Sequence, residues 1–144
     1  MRTVFQAELQ QIGEDLVEIS DLVRTALIRA SESLFEADVE LAEEVISDDA
    51  RIDLRQTQLD ERAIDLLALQ APVASDLRRI VAALRMSASL ERMGDLARHL
   101  SQTARLRYPE SVIPKPLLGT FREMADLDLR IVEAVTRLLT TQDL

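Results

Sequence analysis

Phe5, Leu9, Ile12, Leu16, Ile19, Val23, Ala26 and Ala30 recur at alternating spacings of four and three along the start of the chain. That is the heptad stripe of a long amphipathic helix. The spacing predicts a helix over about 3–35, roughly 50 Å long at 1.5 Å per residue. Glu36, Ala37 and Asp38 read as a turn, with the Asp38 side chain placed to cap the next helix. A second helix over about 39–70 puts Ala42, Val45, Ile52, Leu59, Ala63 and Leu66 on its core face. Asp49, Asp53 and Asp60 fall on one flank of that stripe, and Glu61 points elsewhere. Pro72 is expected in the first turn of a third helix, where proline is tolerated. This helix carries two apolar faces. Met86, Leu90, Met93, Ala97, Leu100 and Ala104 make one, and Leu77, Val81, Leu84 and Ala88 the other. Continued, the second face runs into Glu91 and Asp95.

The stretch from Tyr108 to Pro116 holds three of the four prolines and reads as a linker. A fourth helix over about 117–140 keeps the heptad through Leu117, Phe121, Met124, Ile131, Val135 and Leu138, with Asp128 interrupting it. It resembles the first: Glu18-Ile-Ser-Asp-Leu22 aligns with Glu123-Met-Ala-Asp-Leu127, and the same offset sets Asp143 on the turn residue Asp38. The expected division is a helical bundle over 1–107, a linker over 108–116, and over 117–144 a helix that repeats the first. Burying a large apolar side chain is worth about 1.5–3 kcal/mol. Six of them on a helix with no bundle of its own are therefore expected to pack on another copy, by exchange or by helix pairing, giving a homodimer, with the linker long enough to let the helix swing away.

Composition makes this fold class all-α. Hydrophobic residues are 47% of 144 positions, but there are only three Phe, one Tyr and no Trp, so the core is aliphatic. No alternating run of β-branched residues forms a strand signal. The net charge of −9, with no evident basic face, argues against nucleic acid and against anionic lipid as partners. Without cysteine there is no disulfide, thiolate metal site or thiol nucleophile. No apolar run reaches the roughly 20 residues that span a bilayer, and the acidic start is unlike a signal peptide. The expected location is the cytoplasm.

The candidate chemistry is carboxylate chemistry. Glu91 and Asp95 lie one turn apart, so their charges repel by roughly 0.2–0.5 kcal/mol. Gly94 between them costs a further 0.8–1.0 kcal/mol or so against alanine. A cation, or a close-packed neighbour, accounts for both costs. Asp49 and Asp53 repeat the spacing on the second helix. In an antiparallel pair turning near Pro72, Asp53 lies about 19 residues before the turn and Glu91 about 19 after it. The two acidic pairs then meet at one level. Oxygen donors of this kind suit hard cations. The plainer alternative is a solvated acidic turn paired by Arg92 or Arg98.

Other polar residues carry less. Asp76 falls in a first helical turn, where it complements the helix dipole. His99 reads as a solvated or core-edge histidine. Arg51, Arg55, Arg78, Arg79, Arg85 and Arg92 look scattered and are expected to form intramolecular ion pairs. The three glycines are isolated, so no phosphate-cradling loop exists and phosphate is not expected to bind directly.

Asp49 and Asp53 in SDDARID, Gln70, Pro72 and Ala74 to Arg78 in LQAPVASDLR, and Glu91, Arg92, Gly94 and Asp95 in LERMGD follow one another in an order that resembles the PhoU family, regulators of bacterial phosphate uptake. The resemblance covers essentially the whole chain and implies two tandem three-helix bundles, of which this chain holds one and the first helix of the next. It implies iron or another metal on acidic-x-x-x-Asp patterns, carried here by Glu91 and Asp95. It also implies a regulatory adaptor, not an enzyme, that couples the phosphate transporter's ATPase subunit to a sensor histidine kinase and keeps the starvation response off. Two other readings remain. A carboxylate-bridged di-iron enzyme needs Glu-x-x-His pairs, but Leu96 stands three residues before His99. A purely structural helical protein would keep its heptads free of Asp49, Glu91 and Asp95.

Overall fold

The computed structural model describes residues 2–141. Helix α1 spans Arg2–Glu36, α2 Val39–Gln70, α3 Ala74–Ala104 and α4 Leu118–Thr141, the last preceded by a 3-10 turn at Lys115–Leu117. The all-helical reading holds. Helices α1, α2 and α3 pack mutually as a bundle, and the backbone of α4 approaches only α1 among the described helices.

The chain reverses at two short turns. Ala37 takes a left-handed conformation, φ 51°, and the Asp38 N–H reaches back to the Ser33 carbonyl at 3.0 Å. Asp38 then caps α2 as its sequence position anticipates, its carboxylate accepting from the Leu41 N–H at 3.0 Å. Ala71, also left-handed, stops α2. The third helix differs from expectation at its start. Pro72 lies ahead of it, Val73 takes the N-cap position without a side-chain hydrogen bond, and the first turn begins at Ala74 with Asp76 inside it. Asp76 therefore complements the helix dipole.

The stripes of α1 and α2 are the core. Every α1 stripe residue is buried except half-buried Ala26, and all six α2 residues are buried. Asp49 joins them at the vacant heptad position between Val45 and Ile52, at 4% exposure. On α3 the core face takes in one of the two expected stripes: Ile80, Ala83, Ser87, Leu90, Gly94, Ala97, Ser101 and Ala104 are buried, and Met93 and Leu100 pack against the core. Of the two expected faces, Leu90, Ala97 and Ala104 are in the core, while Leu77 and Met86 are exposed. Small side chains fill the inner face and let α3 approach its neighbours closely, as close packing of helices demands.

The fourth helix does not swing away. Ile113, inside the expected linker, is buried with Leu34, Ala42 and Ala104, and Leu118 and Phe121 pack on the same cluster. Val132 is buried, Val135 and Leu139 join the main core, and Ser20 and Thr136 share a 2.6 Å hydrogen bond between their hydroxyls. The Arg122 guanidinium sits 4.6 Å above the Phe35 ring. Leu117, Met124, Leu127, Ile131 and Leu138 still face outward. The repeat position Asp143 lies outside the described residues.

The arginines also depart from expectation. Of Arg51, Arg55, Arg78, Arg79, Arg85 and Arg92, only Arg55 is ion-paired among the described residues, to Glu18 at 2.9 Å. Arg78, Arg85 and Arg92 are exposed, seven residues apart, and so form one basic row along α3.

Candidate metal centre

Helices α2 and α3 run antiparallel from the Ala71 turn, which brings equal distances along each to one level. Oxygen atoms of Asp49, Asp53 and Asp95 come within 4.8 Å of one another, close enough to share one ion. Asp49 is buried, Asp95 half-buried and Asp53 exposed, so the group opens to solvent on one side. Glu91 is not part of this compact trio. It stands beside it, its carboxyl within hydrogen-bonding reach of Asp95 and Asp53.

Gly94 makes this approach possible. A Cβ there would lie 3.1 Å from Ile52 Cδ1, 3.3 Å from Ile52 Cγ2 and 3.7 Å from Asp49 Oδ1. The glycine between the α3 carboxylates thus admits a close-packed neighbour, one of the two explanations its cost called for.

The electrostatics follow from crowding. Burial pushes Glu91 up to about 7, assisted by the hydrogen bond and the charge of Asp95 and by Asp53. Asp49 is also raised, first by burial and then by Asp53, while the Arg98 guanidinium pulls it back. Arg98 Nη1 lies 3.1 Å from Asp49 Oδ2, and Nη2 lies 3.4 Å from Asp95 Oδ1. It is Arg98, not Arg92, that meets the carboxylates. Asp49 Oδ1 is buried and has no hydrogen-bond partner. A buried, unsatisfied carboxylate oxygen costs free energy and is a ligand atom in waiting. The all-oxygen donor set and this orphaned atom fit a hard cation. Asp49, Asp53 and Asp95 would hold it, with Glu91 alongside.

Residues outside this group stay outside it. His99 is exposed and Glu61 is exposed. Asp60 lies two turns away on α2 and accepts from Gln56 Nε2 at 2.6 Å, its carboxyl raised by burial.

Comparison with known proteins gives the family. The PhoU domain matches residues 16–104. This chain belongs to the PhoU family. It is 41% identical over 143 residues to the phosphate-specific transport system accessory protein PhoU homolog 1 of Mycobacterium leprae, covering 99% of this chain and 64% of that protein. The crystal structure of PhoU from Pseudomonas aeruginosa superposes with a TM-score of 0.86 at 26% identity, over 96% of this chain and 66% of that one. The phosphate transport system regulatory protein PhoU from Streptococcus pneumoniae gives 0.84 at 24%, over 96% and 64%, a likeness of fold. The chain thus spans about two thirds of the length of these relatives. No helix among the described residues is long and apolar enough to cross a membrane.

Proposed function

We propose that this chain is a regulatory adaptor of phosphate uptake that holds a hard metal cation on the α2–α3 acidic cluster. The observation that supports the metal is the convergence of Asp49, Asp53 and Asp95 around a buried, unpartnered carboxylate oxygen. Family membership supports the adaptor role: a relative of 41% identity is an accessory protein of the phosphate-specific transport system. The chain works by binding. Its partners are the transporter's ATPase subunit and a sensor histidine kinase, met in the cytoplasm at the inner membrane. The exposed row of Arg78, Arg85 and Arg92 offers an acidic partner surface a place to dock. Helix α4, lying along α1 and repeating its Glu-x-x-Asp-Leu pattern, opens a second bundle.

The test is genetic. A strain lacking this gene, and any paralogue, should express its phosphate-starvation genes in ample phosphate. The wild-type gene should restore repression, and a Glu91→Ala/Asp95→Ala version should restore it less. Normal repression in the deletion strain would contradict the adaptor reading.

A further inference from the structure

The cation that bridges α2 and α3 in this structure belongs to the protein. The Arg98 guanidinium spans Asp49 on α2 and Asp95 on α3, and these are two of the three carboxylates grouped for an ion. From these contacts we infer that Arg98 is a built-in competitor of the metal, a tethered cation that must leave the carboxylates when an ion binds. The inference rests on the metal reading proposed for this cluster and names the residue that sets its affinity.

Three observations carry it. First, Arg98 holds Oδ2 of Asp49 and Oδ1 of Asp95, so an ion on the free Asp49 Oδ1 and on Asp95 would sit on the same two carboxylates as the guanidinium. Second, Arg98 has a way out. Its side chain is 32% exposed, so a path to water is open, and its buried Nε has no partner to give up. Third, the arrangement solves a problem of charge. Asp49 is 4% exposed, and a buried carboxylate without a counter-charge is strongly unfavourable. Arg98 supplies that charge to the protein before metal arrives.

The alternative is that Arg98 stays and orients the carboxylates for the ion. An orienting partner of a metal ligand contributes roughly 10–100-fold in affinity. Against that stands direct repulsion between a guanidinium and a divalent ion attached to the same carboxylate, in a half-buried site where screening is weak. At such a separation repulsion is the larger effect, and it favours displacement.

The two roles give opposite signs. Mn2+ is titrated calorimetrically into chelator-stripped wild-type and Arg98→Gln proteins, and melting is followed with and without saturating Mn2+. Displacement gives at least about tenfold tighter Mn2+ binding by R98Q. The stripped variant melts below wild type, and Mn2+ raises its Tm by more than it raises that of wild type. Arg98→Lys keeps the charge but loses the two-point bridge. It also binds Mn2+ more tightly than wild type, and it decides the matter if R98Q does not fold. Equal or weaker binding by a folded variant overturns the inference and leaves the metal reading standing. No Mn2+ binding by wild type or variants overturns both.

Discussion

Gly94 on α3 faces Ile52 on α2 so closely that a methyl group added at the glycine would lie 3.1 Å from Ile52 Cδ1. Ile52 is 3% exposed and fixed in the core. Gly94→Ala would gain roughly 0.8–1.0 kcal/mol in helix propensity, whereas overpacking a core costs typically 1–3 kcal/mol. The expected outcome is a net loss of about 1 kcal/mol in denaturant unfolding. Ile52→Val removes the crowding Cδ1 atom, so adding it to Gly94→Ala should cost less than the same change costs in wild type. Strict additivity of the two substitutions would show that the contact is not tight.

The raised Glu91 carboxyl links stability to pH. The folded chain holds this proton up to about 7, whereas the unfolded chain releases it near 4.3. Between those values the folded state binds more protons, so this group's contribution to stability falls as pH rises and levels off above about 7. In chelator, wild type should lose stability relative to Glu91→Gln across that window. Metal affinity should climb over the same range, because the proton leaves as the ion enters. A gap between the two proteins that stays constant from pH 5 to 8 would contradict this.

Ala37 and Ala71 both hold left-handed backbone, at φ 51° and 42°. An L side chain pays roughly 1–2 kcal/mol there, a cost glycine avoids. Ala37→Gly should therefore raise stability, by about 0.5–1 kcal/mol after the added entropy of the unfolded glycine is counted. Thermal melting checks it, and a lower Tm would refute it.

Helix α4 is anchored by Val132 and the Ser20–Thr136 hydrogen bond, yet it leaves Met124, Leu127 and Ile131 exposed. A contiguous apolar surface of this kind marks an interface. Pairing of this chain through that face, with α4 kept on its own bundle, is the expected outcome by light scattering. Ile131→Glu should shift the protein to monomer with little change in Tm. Wild type that is monomeric at high concentration would rule it out.

How much of this was legible in the sequence depends on side-chain size and on which helix supplies a partner. The α1 and α2 stripes were readable because large aliphatics mark them. The α3 core was readable only in part: Leu90, Ala97 and Ala104 mark it, whereas Ser87, Gly94 and Ser101 leave no hydrophobic trace, and Leu77 and Met86, which do, point outward. The level at which Asp53 and Glu91 meet could be counted from the turn near Pro72. The burial of Asp49 was visible only as a core heptad position filled by a charge. Arg98 could be paired with Asp95 from spacing, but its bond to Asp49 depends on the register between helices. The prolines of the linker signal a break between helices, and only one isoleucine, Ile113, hints at its tie to the core.

Everything proposed for the α2–α3 cluster depends on Asp49, Asp53 and Asp95, with Glu91 beside them, holding a hard cation. Calorimetric titration of Mn2+ into the stripped protein, beside elemental analysis of protein as isolated, tests this most directly. The expected result is saturable binding in wild type and a loss of at least about tenfold in a Glu91→Ala/Asp95→Ala variant that still folds. Unchanged affinity in that variant would contradict it.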